Sequence, residues 1–305
     1  MPEINEIRRF ADFIRTKIKN KEILDIKILN GRYKKHEPFI NYKLIKKELP
    51  LKVKDVRTKG KFLYIIFDKD LYLFNTLGLT GGWCYKKNNK TKYQFSDNLD
   101  NYSYYLPEDQ INIYTNNALN HLNIEFTTRD GLLYYYDVLS FGTLKVVSGE
   151  NELNKKLNQL GPDIMDNKTD LELFKNQIRK KKNLEKEIGI VLMDQKTISG
   201  IGNYLRSDIL YTSKINPFRK VKKLEDNELE IIYNNSKILT WGDYDKKMAI
   251  KLKILDKNTK LPSDYNRIFF IYNEEKDIYG NKIIKKELYS GSQKRFIYYV
   301  PQIQK

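Results

Sequence analysis

A change of hydrophobic period near residue 150 constrains this 305-residue chain more than any single motif. From residue 23 to about 147, short apolar runs alternate with turns. Lys61–Phe67, Leu71–Leu77, Leu122–Thr128, Leu132–Val138 and Thr143–Val147 are rich in Tyr, Phe and Ile and read as strands. Gly131 marks a hairpin turn, and the polar stretch from Asn88 to Asn101 reads as a loop. From Asn151 to Trp241 the spacing becomes helical, through Leu153, Leu157 and Leu160, then Leu171, Phe174 and Ile178, then 188–192, 205–210 and 225–239. Pro162 and Pro217 fall between these segments, as expected of helix stops. Before the strands, residues 3–18 form an amphipathic pattern with Ile4, Ile7, Ala11, Ile14 and Ile18 on one stripe.

These patterns predict an α+β fold. A β-rich, sandwich-type domain over 1–150 carries the terminal helix, and a helical domain follows over 151–241. Residues 242–276 are lysine-rich and read as irregular and mobile. Residues 277–305 read as two short strands around Tyr289-Ser290-Gly291-Ser292, a small terminal hairpin.

The formal charge of +17 points to a polyanionic partner such as nucleic acid. The joint abundance of Lys, Asn, Ile and Tyr is also what an AT-rich genome produces without selection for binding. The single cysteine, Cys84, excludes an internal disulfide framework and suits a reducing compartment. With only His36 and His121 beside it, an ordinary four-ligand structural zinc site is not expected. No apolar run approaches the ~18–20 residues of a membrane-spanning helix. The amino terminus lacks the basic-then-apolar pattern of a secretory signal. The expectation is a soluble intracellular protein, in nucleus or cytoplasm.

The chain opens Met1-Pro2-Glu3-Ile4-Asn5-Glu6. Methionine before a small residue is normally removed, which would leave Pro2 as a terminal secondary amine. An α-amino group with a pKa of about 7.7–8.0 is partly uncharged at neutral pH. Such an amine can attack an aldehyde-like carbon and form an iminium. Pro2 also suits the first turn of any helix. Glu3 and Glu6, three residues apart, either complement the helix dipole or place carboxylates beside that amine.

Ile198-Ser199-Gly200-Ile201-Gly202-Asn203 forms a glycine-rich turn that opens a helix. Exposed amides at a helix start favour an anion such as phosphate, and Asn203 could cap the helix or donate its amide to a phosphate oxygen. A tight helix connection uses the same residues.

Taken together, Pro2-Glu3…Glu6, Leu160-Gly161-Pro162-Asp163 and Leu192-Met193-Asp194-Gln195-Lys196…Gly200-Ile201-Gly202-Asn203-Tyr204-Leu205-Arg206 resemble the formamidopyrimidine-DNA glycosylase/endonuclease VIII (Fpg/Nei) family, in order and over nearly the whole chain. Lys59-Gly60-Lys61, Leu77-Gly78-Leu79-Thr80-Gly81 and Asp137…Phe141-Gly142 also fall where that family has motifs. The resemblance makes the glycine turn a helix–two-turn–helix module. The family usually ends in a four-cysteine zinc finger. Here Arg295-Phe296-Ile297-Tyr298-Tyr299-Val300-Pro301-Gln302-Ile303-Gln304-Lys305 keeps the arginine, with Val300 and Ile303 in place of the last two cysteines. That resembles the zincless finger of the endonuclease VIII-like branch, with Phe296, Tyr298 and Val300 available to pack the hairpin.

The resemblance implies a bifunctional DNA glycosylase/AP lyase acting, as a monomer and without cofactor or metal, on double-stranded DNA that contains oxidised bases or abasic sites. Pro2 would attack C1′, Glu3 would shuttle protons at the sugar, and Glu6 would support the amine or sugar. Lys61, which alone is one hairpin lysine among many, would hold a phosphate beside the lesion. Gly202, Asn203 and Arg295 would extend that backbone clamp, although Arg295 by itself reads as a solvated charge. Leu79, Leu139 and Phe141 match the side chains that fill the gap left by a flipped base, or are simply core. Leu139 stands where the family's arginine usually reads the opposite base. This departure favours a pyrimidine-type preference over purine lesions. A catalytically silent DNA-binding protein of the same fold is the competing class.

Overall fold

The computed structural model describes residues 2–96, 115–265, 267–290 and 293–305. They divide into two compact units, one of Pro2 with Glu6–Asn158 and one of Glu3–Asn5 with Gln159–Lys305.

In the first unit, helix α1 (Ile4–Ile18) buries the predicted stripe, with Ile7, Phe10, Ala11, Ile14 and Ile18 all inaccessible. Basic Arg15 and Lys17 occupy its last turn, where the helix dipole favours them. The strands form two five-stranded sheets. The first has the order β1 (Glu22–Ile23), β3 (Leu51–Lys59), β4 (Phe62–Phe67), β5 (Leu71–Thr76) and β10 (Thr143–Ser148). The second has β2 (Asp25–Ile28), β8 (Leu122–Thr127), β9 (Gly131–Asp137), β6 (Gly81–Lys87) and β7 (Tyr93–Phe95). Every strand pair is antiparallel. Short helices α2 (Arg32–Lys35) and α3 (Tyr42–Lys47) lie between β2 and β3.

Both sheets feed one core: Val53, Leu63, Ile65 and Leu73 from the first meet Ile26, Trp83, Phe126 and Tyr135 from the second, together with the α1 stripe. The sandwich expected from the short apolar runs is therefore present. Two of its buried polar side chains, Trp83 and Asn75, are paired, as an interior requires. Trp83 Nε1 donates to Asn75 Oδ1 at 3.0 Å, and Asn75 Nδ2 donates to the Thr143 carbonyl at 3.1 Å.

Several features differ from the sequence expectation. Helix α4 (Glu150–Leu157) belongs with the first unit rather than the helical one. The reason is polar and invisible to periodicity: Lys59 Nζ donates to the Leu157 carbonyl at 2.8 Å, and Lys156 lies 5.3 Å above the Phe62 ring. Lys61 sits in the turn between β3 and β4, not in the strand, because Gly60 turns the chain there at φ +54°. The strand β7 falls inside the stretch read as a loop, whose residues 97–101 lie outside those described. Further differences lie in the second unit.

That unit contains α5 (Leu171–Ile178), α6 (Ile188–Val191), α7 (Asn203–Thr212) and α8 (Asp226–Lys251). Asp170 caps α5 by accepting from Leu173 N at 2.7 Å, and Glu225 with Glu228 forms a capping box on α8. Helix α8 runs ten residues past the expected stop at Trp241, with non-helical dihedrals at Asp245. Asp245 Oδ1 accepts from Met248 N at 2.9 Å, so it caps a second helical stretch. A lysine-rich composition hid that continuation.

The chain ends in a hairpin of β11 (Ile284–Ser290) and β12 (Gln293–Tyr299), with Leu288 opposite Arg295. Gly291 and Ser292 of its expected turn lie outside the described residues. Ile297, Tyr298 and Val300 are buried in a core shared with Val191, Leu205, Ile209 and Leu288. Phe296, expected inside, faces outward beneath Lys285 at 4.7 Å and Lys294 at 5.3 Å. Beyond the hairpin, Gln304 Oε1 accepts from Val300 N at 2.7 Å, and its Nε2 donates to the Ile215 carbonyl at 2.9 Å. Hydrogen bonds hold the segment that follows the hairpin.

Candidate functional site

In the second unit, residues 3–5 and the glycine turn come together. Glu3 is 1% exposed, and its carboxylate receives the amides of Gly202 at 2.6 Å, Tyr204 at 3.0 Å and Leu205 at 3.4 Å. The amides at the start of α7 thus bind an anion, as their geometry suggests, but the anion is this carboxylate. Gly202 was expected to offer its N–H to phosphate; here that N–H already donates to Glu3. The two glycines are needed for the docking. A Cβ on Gly202 would fall inside the Glu3 carboxylate, and one on Gly200, at φ +116°, would strike Ile4.

Asn203 is the first helical residue rather than the cap, which is Gly202. Its Nδ2 lies 3.5 Å from Tyr272 Oη, and its Oδ1 accepts from Arg206. Arg206 was given no role from the sequence, yet it organises this unit. Wholly buried, it also donates from Nη1 to the Gly189 carbonyl at 2.9 Å and from Nη2 to the Phe296 carbonyl at 3.1 Å. It therefore links Asn203 to the strand that carries exposed Arg295. Burial pulls the Arg206 guanidinium down to about 10, and the neighbouring Glu3 charge opposes that shift. The available signal was a lone cation among Leu205, Ile209 and Leu210.

In the first unit, Leu79, Leu139 and Phe141 are 47%, 48% and 60% exposed, which rules out the core reading. They sit on two loops, β5–β6 and β9–β10, laced by Asp137 and Thr80. Thr80 Oγ1 donates to Asp137 Oδ1 at 2.7 Å and accepts from Leu139 N at 2.9 Å. Gly142 N donates to Asp137 Oδ2 at 2.7 Å. A Cβ on Gly78, at φ +64°, would strike the backbone at Phe141 and Gly142. Three apolar side chains are thereby held in solvent by a rigid frame. Asp137 and Thr80 lie in motifs quoted from the sequence, which gave neither of them a role of its own.

Also in this unit, Pro2 and Glu6 are half-buried and Lys61 is partly exposed at its hairpin tip. His121 Nδ1 lies 2.7 Å from the Asn117 carbonyl, a structural hydrogen bond. Among the described residues, no three His, Cys, Asp or Glu side chains gather where they could hold a metal. No described helix is long and apolar enough to cross a membrane.

The family model described as the formamidopyrimidine-DNA glycosylase N-terminal domain matches residues 1–144, and the one described as the formamidopyrimidine-DNA glycosylase H2TH domain matches residues 160–242. The chain belongs to the Fpg/Nei family. Among Fpg/Nei relatives, it is 27% identical to the formamidopyrimidine-DNA glycosylase of Mycoplasma genitalium over 238 residues, 77% of this chain and 72% of the relative. It is 28% identical to that of Oceanobacillus iheyensis, over 78% of this chain and 74% of the relative. The fold is similar to Lactococcus lactis Fpg bound non-covalently to DNA containing an AP site, with a TM-score of 0.71, 19% identity and 99% of each chain covered. Both Fpg/Nei matches end before the hairpin of β11 and β12.

Proposed function

We propose that this chain is a bifunctional DNA glycosylase/AP lyase of base excision repair, working as a monomer on double-stranded DNA. Its relatives carry the name of a DNA glycosylase, which supports the glycosylase part. The observation that carries the rest is Glu3, directly after Pro2 and fixed by backbone amides while wholly buried.

With Met1 removed, the uncharged Pro2 amine attacks C1′ of a flipped nucleotide, and the base departs with the bonding electrons and a proton. Ring opening leaves a cationic iminium between Pro2 and C1′. The iminium acidifies a C2′ proton, whose removal expels the 3′ phosphate; a second elimination expels the 5′ phosphate. Glu3 moves the proton at the sugar oxygen, and Glu6 supports the amine. Lys61, Asn203 and Arg295 hold backbone phosphates, a role in which charge fixes position without reading sequence. Leu79, Leu139 and Phe141 fill the vacated stack, and their framed exposure suits a wedge. No cofactor enters these steps.

The substrate class follows from Leu139. An aliphatic side chain cannot hydrogen-bond the orphaned base, so strict reading of the opposite strand is lost and oxidised pyrimidines are preferred. The hairpin closed by Val300, Ile303 and Gln304 fits a zincless, endonuclease VIII-like finger. A purine-preferring formamidopyrimidine glycosylase is the second reading, favoured by the names of the relatives.

Borohydride trapping on abasic-site duplex tests the chemistry: wild type forms a covalent adduct and Pro2→Gly forms none. A wild-type protein that binds DNA but is never trapped would be a silent binder. A panel with thymine glycol and 8-oxoguanine, each opposite all four bases, separates the substrate classes.

A further inference from the structure

Glu3, Ile4 and Asn5 each tie to the same short stretch of the second unit by a different kind of interaction. Glu3 accepts the amides of Gly202 and Tyr204, and Ile4 packs against Gly200. Asn5, which is 0% exposed, uses both ends of its side chain. Its Oδ1 accepts from Tyr204 Oη at 2.9 Å, and its Nδ2 donates to Asp243 Oδ2. A buried amide so engaged has one orientation. Tyr204 has little freedom either, since its ring packs against Phe269 at 4.9 Å and Tyr272 at 6.2 Å. Asp243 lies two residues before the break in α8 at Asp245.

The Glu3 tie fixes the residue next to Pro2, and the Ile4 tie adds an apolar contact without direction. The Asn5 tie is directional at both ends, and it sits three residues from Pro2. Resting on the function proposed above, we infer that Asn5 is a positioning residue. Held between Tyr204 and Asp243, it sets the direction in which the Pro2 imino group meets C1′. Misplacement of a reacting atom by about 1 Å costs on the order of 100-fold in rate. The side chains of Asn5, Tyr204 and Asp243 are not among the phosphate contacts proposed above, so affinity does not depend on this tie.

The test uses the full-length protein on abasic-site duplex, measuring the single-turnover rate of borohydride-trapped adduct and, separately, the dissociation constant. Tyr204→Phe removes one hydroxyl and keeps the packed ring; Asn5→Ala removes the amide. Both are expected to slow trapping by about 10- to 100-fold, with affinity changed by less than about twofold because phosphate contacts are untouched. The double variant should be no slower than Asn5→Ala, since both act through one link. Asp243→Asn, which keeps an oxygen at this position, should lose less than Asp243→Ala. Trapping at the wild-type rate in Tyr204→Phe overturns the inference, and so does a rate loss matched by an equal loss of affinity. If Asn5→Ala does not fold, Tyr204→Phe decides alone. If the wild-type protein itself gives no adduct while binding DNA, the proposed function fails first and this inference falls with it.

Discussion

The carboxylate of Glu3 closes the start of the helix that begins at Asn203, taking the Tyr204 amide at 3.0 Å across 201 positions of sequence. Replacing it by Gln keeps the length but removes the charge from bonds to buried amides. Glu3→Gln should destabilise the protein by about 1–3 kcal/mol, read from the midpoint of urea unfolding. Trapping should fall at the same time. A variant as stable as wild type would mean that the amides find another acceptor.

Leu79 and Phe141 are exposed, and what surrounds them is the frame built on Asp137. Leu79→Ala and Phe141→Ala should each change stability by less than about 0.5 kcal/mol, while slowing base removal from duplex more than from single strands, where no stack needs filling. Asp137→Ala strands the Thr80 hydroxyl and the Gly142 amide and should cost about 1–3 kcal/mol. Thermal unfolding and excision on the two substrates measure both effects.

Asp208 on α7 is buried and accepts the amides of Phe270 at 3.2 Å and Ile271 at 3.0 Å. Burial, only partly offset by those amides, pushes its carboxyl up to about 7. In the unfolded chain the proton leaves near pH 4. Between those limits the folded state holds more protons, so this group's stabilisation is full below about pH 4 and is lost as pH rises to 7. The loss is on the order of 4 kcal/mol. Asp208→Asn should flatten the curve of unfolding temperature against pH across that window; an unaltered slope would assign it to another group.

Arg295 stands exposed on β12 opposite Leu288. Arg295→Ala should leave the unfolding temperature unchanged and weaken DNA binding uniformly across sequences. The slope of log affinity against log salt should become shallower by about one phosphate contact. Titrations at several salt concentrations check this, and an unchanged slope removes the finger from the clamp.

The parts of this fold that repeat a pattern were readable in the chain. The α1 stripe follows from burial at a fixed period, the strands from short apolar runs rich in Tyr, Phe and Ile, and the glycine turn leads into a helix as written. What was not readable depends on partners far apart. Nothing local to Gly202 says that its amide meets Glu3, and nothing near Leu157 says that Lys59 holds it. Asp245 resembles any surface aspartate until its bond to Met248 marks a new helix start. Arg206 is one basic residue among many until burial and its carbonyl partners distinguish it.

The closure of the terminal hairpin by Gln304, Val300 and Ile303 bears on when such a protein can work. The oxidants that damage bases also attack metal-bound thiolates and thioethers. Residues 277–305 contain neither cysteine nor methionine. Peroxide therefore finds no sulfur there, and the hairpin should keep its shape through the chemical stress that would create the substrates proposed above.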